Sequence, residues 1–157
     1  REIIKPGAFD EVLNDDVRGL FNHDPNYILG RSASGTLTLS VDERGLQYDI
    51  QAPDTPTIRD LVLAPMQRGD ITQSSFAFRV ARDGEHWFED EEGIVIREIS
   101  RFSRLYDVSP VTYPAYQEAD SAVRSLNQWK EARDSGAFQQ AINQKQARER
   151  ILTLLNI

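Results

Sequence analysis

Leu37, Leu39 and Val41 alternate with Thr38 and Ser40, and Leu46, Tyr48 and Ile50 repeat the alternation after a polar turn over residues 42–45. A period of two is the mark of a half-buried strand, so this stretch predicts a β-hairpin. "DITQSSFAFRV" predicts the next strand, with Ser75 and Phe76 on opposite faces. "GIVIREIS" and "SRLYDVSPVT" predict two more, closed by "YPAY". At the start, "IIKPGAFDEVL" predicts a strand end, a Pro-Gly turn and a short helix over residues 9–13. The period then lengthens in two places. "DTPTIRDLVLAPMQRG" predicts a helix capped by Thr55, entered at Pro56, stopped at Gly69, and broken or kinked at Pro65. From about Gln117, Ala119, Val123 and Leu126 fall at helical spacing. Gly136 interrupts, and a second helical stretch is predicted over residues 138–155. The pattern describes a mainly β (α+β) body of antiparallel strands over residues 1–126, with one crossing helix, and a helical C-terminal tail over residues 127–157. One stretch, "GLFNHDPNYILGR", breaks its apolar run at Asn22-His23-Asp24, and taken alone it reads as a surface turn.

The totals set bounds on this picture. A chain of 157 residues is one domain with an appendage and can bury a real core. Its 39% hydrophobic and 27% charged residues belong to a globular protein. No apolar run approaches membrane-spanning length, and no secretory signal opens the chain. The first residue is Arg1 rather than Met, so the expected N-terminus lies upstream, lost by trimming or processing. Cysteine is absent, which excludes disulfides, thiolate nucleophiles and cysteine metal sites and is compatible with a reducing compartment. A net charge of −7 argues against general nucleic-acid binding. The charge is uneven. Residues 1–126 carry 13 basic and 22 acidic side chains, a net of −9, while residues 127–157 carry 5 and 3, a net of +2. The tail is therefore a different surface, suited to an acidic partner.

Histidine is the side chain best suited to moving protons near neutral pH, and there are two. His86 sits in "RDGEHWFEDEEG", a charged stretch that reads as a hairpin tip, where a histidine is an ordinary bystander. His23 follows Leu20 and Phe21 in "FNHDPN" and has no assigned role from its own surroundings. A nucleophile would give it one. Ser74 and Ser75 are adjacent on a predicted strand, and serine needs a base that is itself oriented by a partner. Asp24, Asp60, Asp70, Glu98 and Asp107 are all candidate partners, and spacing does not choose among them. Two isolated histidines without cysteine disfavour structural zinc. Neither a phosphate-binding glycine loop nor a GxSxG elbow is present. The acids of "EDEEG" read as a solvated turn.

Taken in order, "IKPGAF", "NHD", "LGR", "GTLTL", "GL", "GDI", "SFAF" and "VSPVTYPAY" resemble the motif series of the HK97-type prohead proteases of tailed bacteriophages, relatives of herpesvirus assemblin. The resemblance spans roughly residues 2–119. It implies a serine endopeptidase of the prohead interior, assembled in the host cytoplasm or encoded by a prophage, that removes scaffold or capsid-protein segments and itself. It implies His23 as base, Ser75 rather than Ser74 as nucleophile, and Asp107 as the acid, where the family usually carries the longer Glu. Arg101 or Arg104 would serve the oxyanion. The implied fold is a closed antiparallel β-barrel flanked by helices; the family's strand upstream of "IKPGAF" is missing here. No cofactor, metal, nucleic acid or membrane is implied, and self-association suits a protease confined at high local concentration. Two other readings stay open. The +2 tail on a −9 body suits a non-enzymatic assembly module of the capsid interior that docks on scaffold. A metal-dependent or Ser-His-His site would instead recruit His86.

Overall fold

The alternation of residues 37–50 builds the hairpin it predicts. The computed structural model describes residues 1–113 and 119–134. Among these residues the strands are β1 (Glu2–Ile4), β2 (Arg18–Phe21), β3 (Asp24–Arg31), β4 (Leu37–Asp42), β5 (Gly45–Ile50), β6 (Gln73–Val80), β7 (Glu85–Glu89), β8 (Val95–Ile99) and β9 (Phe102–Val111). β4 and β5 pair in register from Leu37 opposite Ile50 to Asp42 opposite Gly45. At their turn the Asp42 carboxylate accepts the Arg44 and Gly45 N–H groups, an Asx turn that fixes the register.

The other strands form two sheets, ordered β1-β8-β7 and β3-β2-β9-β6. The described strands are mainly β as expected, but they are not all antiparallel: β1 runs parallel to β8, and β2 parallel to β9. Their hydrogen-bonded ladders make three separate sheets and do not close into one barrel among the described residues. The chain divides into two units, Arg1–Ala115 and Tyr116–Ile157.

Two clusters hold the first unit together. Phe9, Val12, Val17, Phe102, Leu105 and Val108 form the larger core, with Phe76 and Phe78 packed against it. Its centre is aromatic, with ring centroids 4.5 Å apart for Phe78 and Phe102 and 4.7 Å for Phe9 and Phe102. The smaller cluster, Leu29, Ile58 and Val62, joins a helix to the β2–β3 hairpin and draws in Phe21 and Tyr27.

That helix, α1 (residues 56–68), begins at Thr55, whose hydroxyl accepts the Ile58 N–H, and ends at Gly69 with φ of 83°. Pro65 does not break it. Pro65 has no N–H to donate and its ring would crowd the carbonyl four residues back. The helix absorbs this as a π-type segment at Arg59–Leu63, where the Ala64 N–H reaches the Arg59 carbonyl five residues away.

The helix expected over residues 9–13 is a run of turns instead. The N–H groups of Ala8, Asp10, Val12 and Asp15 each return to the carbonyl three residues earlier. An α-helix would need the Ala8 carbonyl for the Val12 N–H, but the Phe102 N–H takes it at 3.0 Å. His86 is also not at a hairpin tip. It lies within β7 opposite Glu98 and stacks on Phe88 at 5.7 Å, and the turn falls later, at residues 90–93.

In the second unit, α2 (Ala119–Asp134) forms where helical spacing begins, with Arg133 over the Trp129 ring at 5.1 Å. The helical stretch expected over residues 138–155, and the last three residues of "YPAY", lie outside the described residues.

Candidate active site

β2 and β3 are joined by two residues, Asn22 and His23, because Phe21 pairs with Asp24. A two-residue hairpin of this kind favours positive φ at both loop positions, which is why Asn-Gly and Asp-Gly are its usual sequences. Asn22 has φ of 54° and His23 of 58°, and they are the only non-glycine residues with positive φ among the described residues. Neither residue is glycine, and a non-glycine residue in this region carries a cost of order 1–3 kcal/mol.

Neighbouring strands hold the tip in place. The Asn22 N–H donates to the Pro110 carbonyl at 3.1 Å, and the Asn22 side chain accepts the Thr112 N–H at 2.8 Å. The His23 N–H donates to Ser109 Oγ at 3.3 Å. From the other side, Phe21 and Tyr27 of the hairpin pack on α1. β2 lies beside β9, so the tip delivers the His23 ring to the middle of β9. There His23 Nδ1 stands 2.6 Å from Asp107 Oδ1, with both side chains nearly buried. Aspartate, though shorter than glutamate, therefore reaches the ring.

Asp107 follows an irregularity in β9. Ala77 pairs with Asp107 and Phe78 with Leu105, which leaves Tyr106 as an extra residue. Bulges of this kind re-aim the adjoining side chains. The Leu105 N–H donates to Asp15 Oδ2 at 2.9 Å. Two residues along, Ser109 is fully buried and donates its hydroxyl hydrogen to Asp107 Oδ1 at 2.9 Å.

Directly opposite residues of paired strands share a face, with Cβ atoms about 4.5–5.5 Å apart. Ser75 pairs with Ser109, so Ser75 lies on the same sheet face as Ser109 and Asp107, the face that His23 meets. Ser74 points to the other face, and its hydroxyl is 2.5 Å from that of Tyr48. A cleft of about 720 Å³ borders Ser74 and Ser75 and is walled by Phe9, Leu46, Tyr48 and Phe76. His23 and Asp107 do not line it.

The remaining sequence candidates lie elsewhere. The Arg101 guanidinium is 3.9 Å from Glu11, and that of Arg104 is 3.4 Å from Asp15. His86 belongs to the other sheet. Among the described residues no three histidine or acidic side chains gather to hold a metal ion, and no helix is long and apolar enough to cross a membrane.

Two sets of ion pairs lie outside the site. Arg31 forks onto Asp16 through Nε and Nη2 at 2.8 and 2.6 Å, clamping the base of the β2–β3 hairpin. The Arg31 hydrogen bonds, with the Arg18 and Arg31 charges and the Arg18 hydrogen bond, outweigh desolvation and hold the Asp16 carboxyl down at about 2. In the other sheet, burial works against the charge of Arg97, but hydrogen bonds and charges from Glu85 and Glu2 outweigh it and raise the guanidinium pKa.

Two residues that were not candidates in the sequence also shape the site. Asn22, placed just before the histidine, was the available signal for a tight turn with positive φ. Ser109 carried no signal, because a serine in a predicted strand looks the same whether or not it is buried against a carboxylate.

Residues 1–133 match the family model described as caudovirus prohead serine protease. No curated protein and no solved structure matches the chain.

Proposed function

The chain belongs to the caudovirus prohead serine protease family, and from that premise we propose that His23, Ser75 and Asp107 work as base, nucleophile and orienting acid. The family is one of hydrolases of bacteriophage capsid maturation, acting in the capsid interior on capsid or scaffold protein. The observation that carries the proposal is the 2.6 Å pair of His23 Nδ1 and Asp107 Oδ1 on the sheet face shared by Ser75.

The chemistry follows from the donors. A carboxylate only accepts, so the proton between the two groups sits on Nδ1 and leaves Nε2 with a free lone pair. Nε2 takes the Ser75 Oγ proton as Oγ adds to the scissile carbonyl. Asp107 stabilises the resulting imidazolium, which returns the proton to the leaving amine, and water then hydrolyses the acyl-enzyme by the same route. Two other serines are poorer nucleophiles. Ser74 faces Tyr48 on the opposite side of the sheet. Ser109 is closed to substrate, and its only hydroxyl hydrogen goes to Asp107. For Arg101 or Arg104 to serve the oxyanion, each would leave an exposed ion pair worth about 0–1 kcal/mol, which is no obstacle. We assign scaffold segments and the chain itself as substrates, residues 1–126 as the protease and residues 127–157 as a tail that meets an acidic partner.

The test is the full chain carrying Ser75→Ala, produced together with its capsid and scaffold proteins. Cleavage disappears with Ser75→Ala and persists with Ser74→Ala. Cleavage that survives Ser75→Ala rules out this nucleophile. An unaltered chain that enters proheads and cuts nothing is an assembly module instead.

A further inference from the structure

We propose that Ser109 is a positioning residue that locks the His23–Asp107 pair, an inference that rests on the assignment of His23 and Asp107 to the active site. Three contacts converge on its one oxygen. The hydroxyl donates to Asp107 Oδ1 at 2.9 Å, accepts the His23 backbone N–H at 3.3 Å, and lies 3.5 Å from His23 Nδ1. A hydroxyl has a single hydrogen and two lone pairs. The hydrogen goes to Oδ1, because the Nδ1 position is already a donor to that same oxygen at 2.6 Å. Oδ1 thus collects two donors, and a lone pair of Ser109 remains for the His23 N–H.

The consequence is a bridge between two separate elements. Asp107 is on β9 and His23 is at the tip of the β2–β3 hairpin. Ser109 fixes the carboxylate rotamer through its hydrogen and the backbone of the histidine through its oxygen. The His23 backbone has positive φ, a conformation that persists only where its surroundings over-determine it. Ser109 has no exposed surface, so water does not replace it in either bond. A buried serine whose hydrogen goes to the acid and whose oxygen accepts from the base of one site is placed to hold them in register. It touches neither substrate nor the attacking oxygen in this scheme.

The experiment compares Ser109→Ala and Ser109→Cys with the parent in the full chain. Alanine removes the hydroxyl, and cysteine keeps a side chain of similar shape with a weak donor and acceptor. Amide exchange of His23 and the imidazole Nδ1–H resonance are read in a Ser75→Ala background, which prevents self-cleavage. Two histidines make the ring signals simple to assign. Losing one hydrogen bond should speed exchange at the His23 amide about fivefold to tenfold, and the Nδ1–H signal should broaden. With Ser75 restored, kcat should fall about tenfold or more while KM moves less than about twofold. A purely structural Ser109 would lower thermal stability and leave the kcat of the folded protein and the His23 amide unchanged. That result in Ser109→Ala, or in Ser109→Cys where alanine does not fold, overturns the proposal. If Ser75→Ala fails to abolish cleavage, the assignment of Ser75 as nucleophile falls, and the exchange data still decide whether Ser109 holds His23.

Discussion

Asp107→Asn is the perturbation that asks most of the proposed site. The two side chains have nearly the same shape, so the core around Leu105 and Val108 is undisturbed. What changes is the charge beside the ring. The carboxylate oxygen is 2.6 Å from His23 Nδ1, and at an effective dielectric near 20 a unit charge pair at that separation interacts by about 6 kcal/mol. Each 1.36 kcal/mol is about tenfold in rate, so losing the anion under a forming imidazolium is worth about 10⁴ in kcat. The amide has a second effect, because its NH2 can turn toward Nδ1 and favour the tautomer whose Nε2 carries the proton. Substitutions of this kind at a Ser-His-Asp site typically cost about 10⁴. The assay is steady-state cleavage of a peptide spanning a mapped processing site, with the acyl-enzyme burst read separately. A loss of kcat below about tenfold, in folded protein, would refute the claim that Asp107 orients and charges the base. Asp107→Glu gives a second check. The contact is already closed at 2.6 Å in a nearly buried setting, so an added methylene has to displace the ring or the strand. Activity should fall by about 10–100-fold; full activity in Asp107→Glu would show that the aspartate geometry is not the working one.

Three further outcomes follow from the packing and charges. Gly30→Ala places a Cβ 2.7 Å from the Thr36 backbone carbonyl, so it should destabilise the fold by about 1–3 kcal/mol in a denaturant melt. Asp16 is held at about 2 in the folded chain, below the roughly 3.9 of a free aspartate, so its stabilisation is complete above that higher value and is lost as pH falls toward 2. Asp16→Asn should therefore flatten the acid side of a stability-against-pH curve in that window, and an unchanged curve would contradict the clamp. His86→Ala should leave kcat within about twofold, since its ring stacks on Phe88 in the sheet that lacks β9; a large loss would revive a second-histidine site.

The sequence was most legible where one local rule acted alone. Residues 37–41 and 46–50 alternate cleanly on either side of an Asx turn, and that hairpin forms as predicted. Thr55, Pro56 and Gly69 mark both ends of α1. β2 and β3 were hidden because their pairing is irregular. Leu20 pairs with Ile28 and Phe21 with Asp24, so residues 25–27 fall between consecutive partners and the period of two is lost. The run over residues 9–13 has helical composition, but a distant donor, the Phe102 N–H, claims its key carbonyl. His86 looked like a loop residue because its neighbours are acidic, yet Glu85 has an inward task on Arg97. Within the candidate site, His23, Ser75 and Asp107 were nameable only as an ordered set of motifs. The bulge at Tyr106, the hold of Asp15 on Leu105 and the bridge at Ser109 depend on segments distant in the chain, 90 residues apart for Asp15 and Leu105 and 86 for His23 and Ser109.

The placement of His23 is the strongest physical argument that this region was built for chemistry. A two-residue hairpin tip is easiest to form with glycine at its second position, and histidine there works against the fold by about 1–3 kcal/mol. The surrounding structure offsets that cost. Asn22 ties the tip to Pro110 and Thr112, Ser109 ties the His23 backbone to β9, Asp107 ties the ring, and Phe21 anchors the incoming strand against α1. Each hydrogen bond contributes about 0.5–1.5 kcal/mol net, so the contacts together match the strain. A turn selected only for stability would need none of them, because His23→Gly would relieve the strain outright. The prediction is that His23→Gly raises or preserves thermal stability while abolishing cleavage. A His23→Gly chain that loses both in parallel would mean that the ring is held for packing, and that the strained turn serves the fold rather than the chemistry.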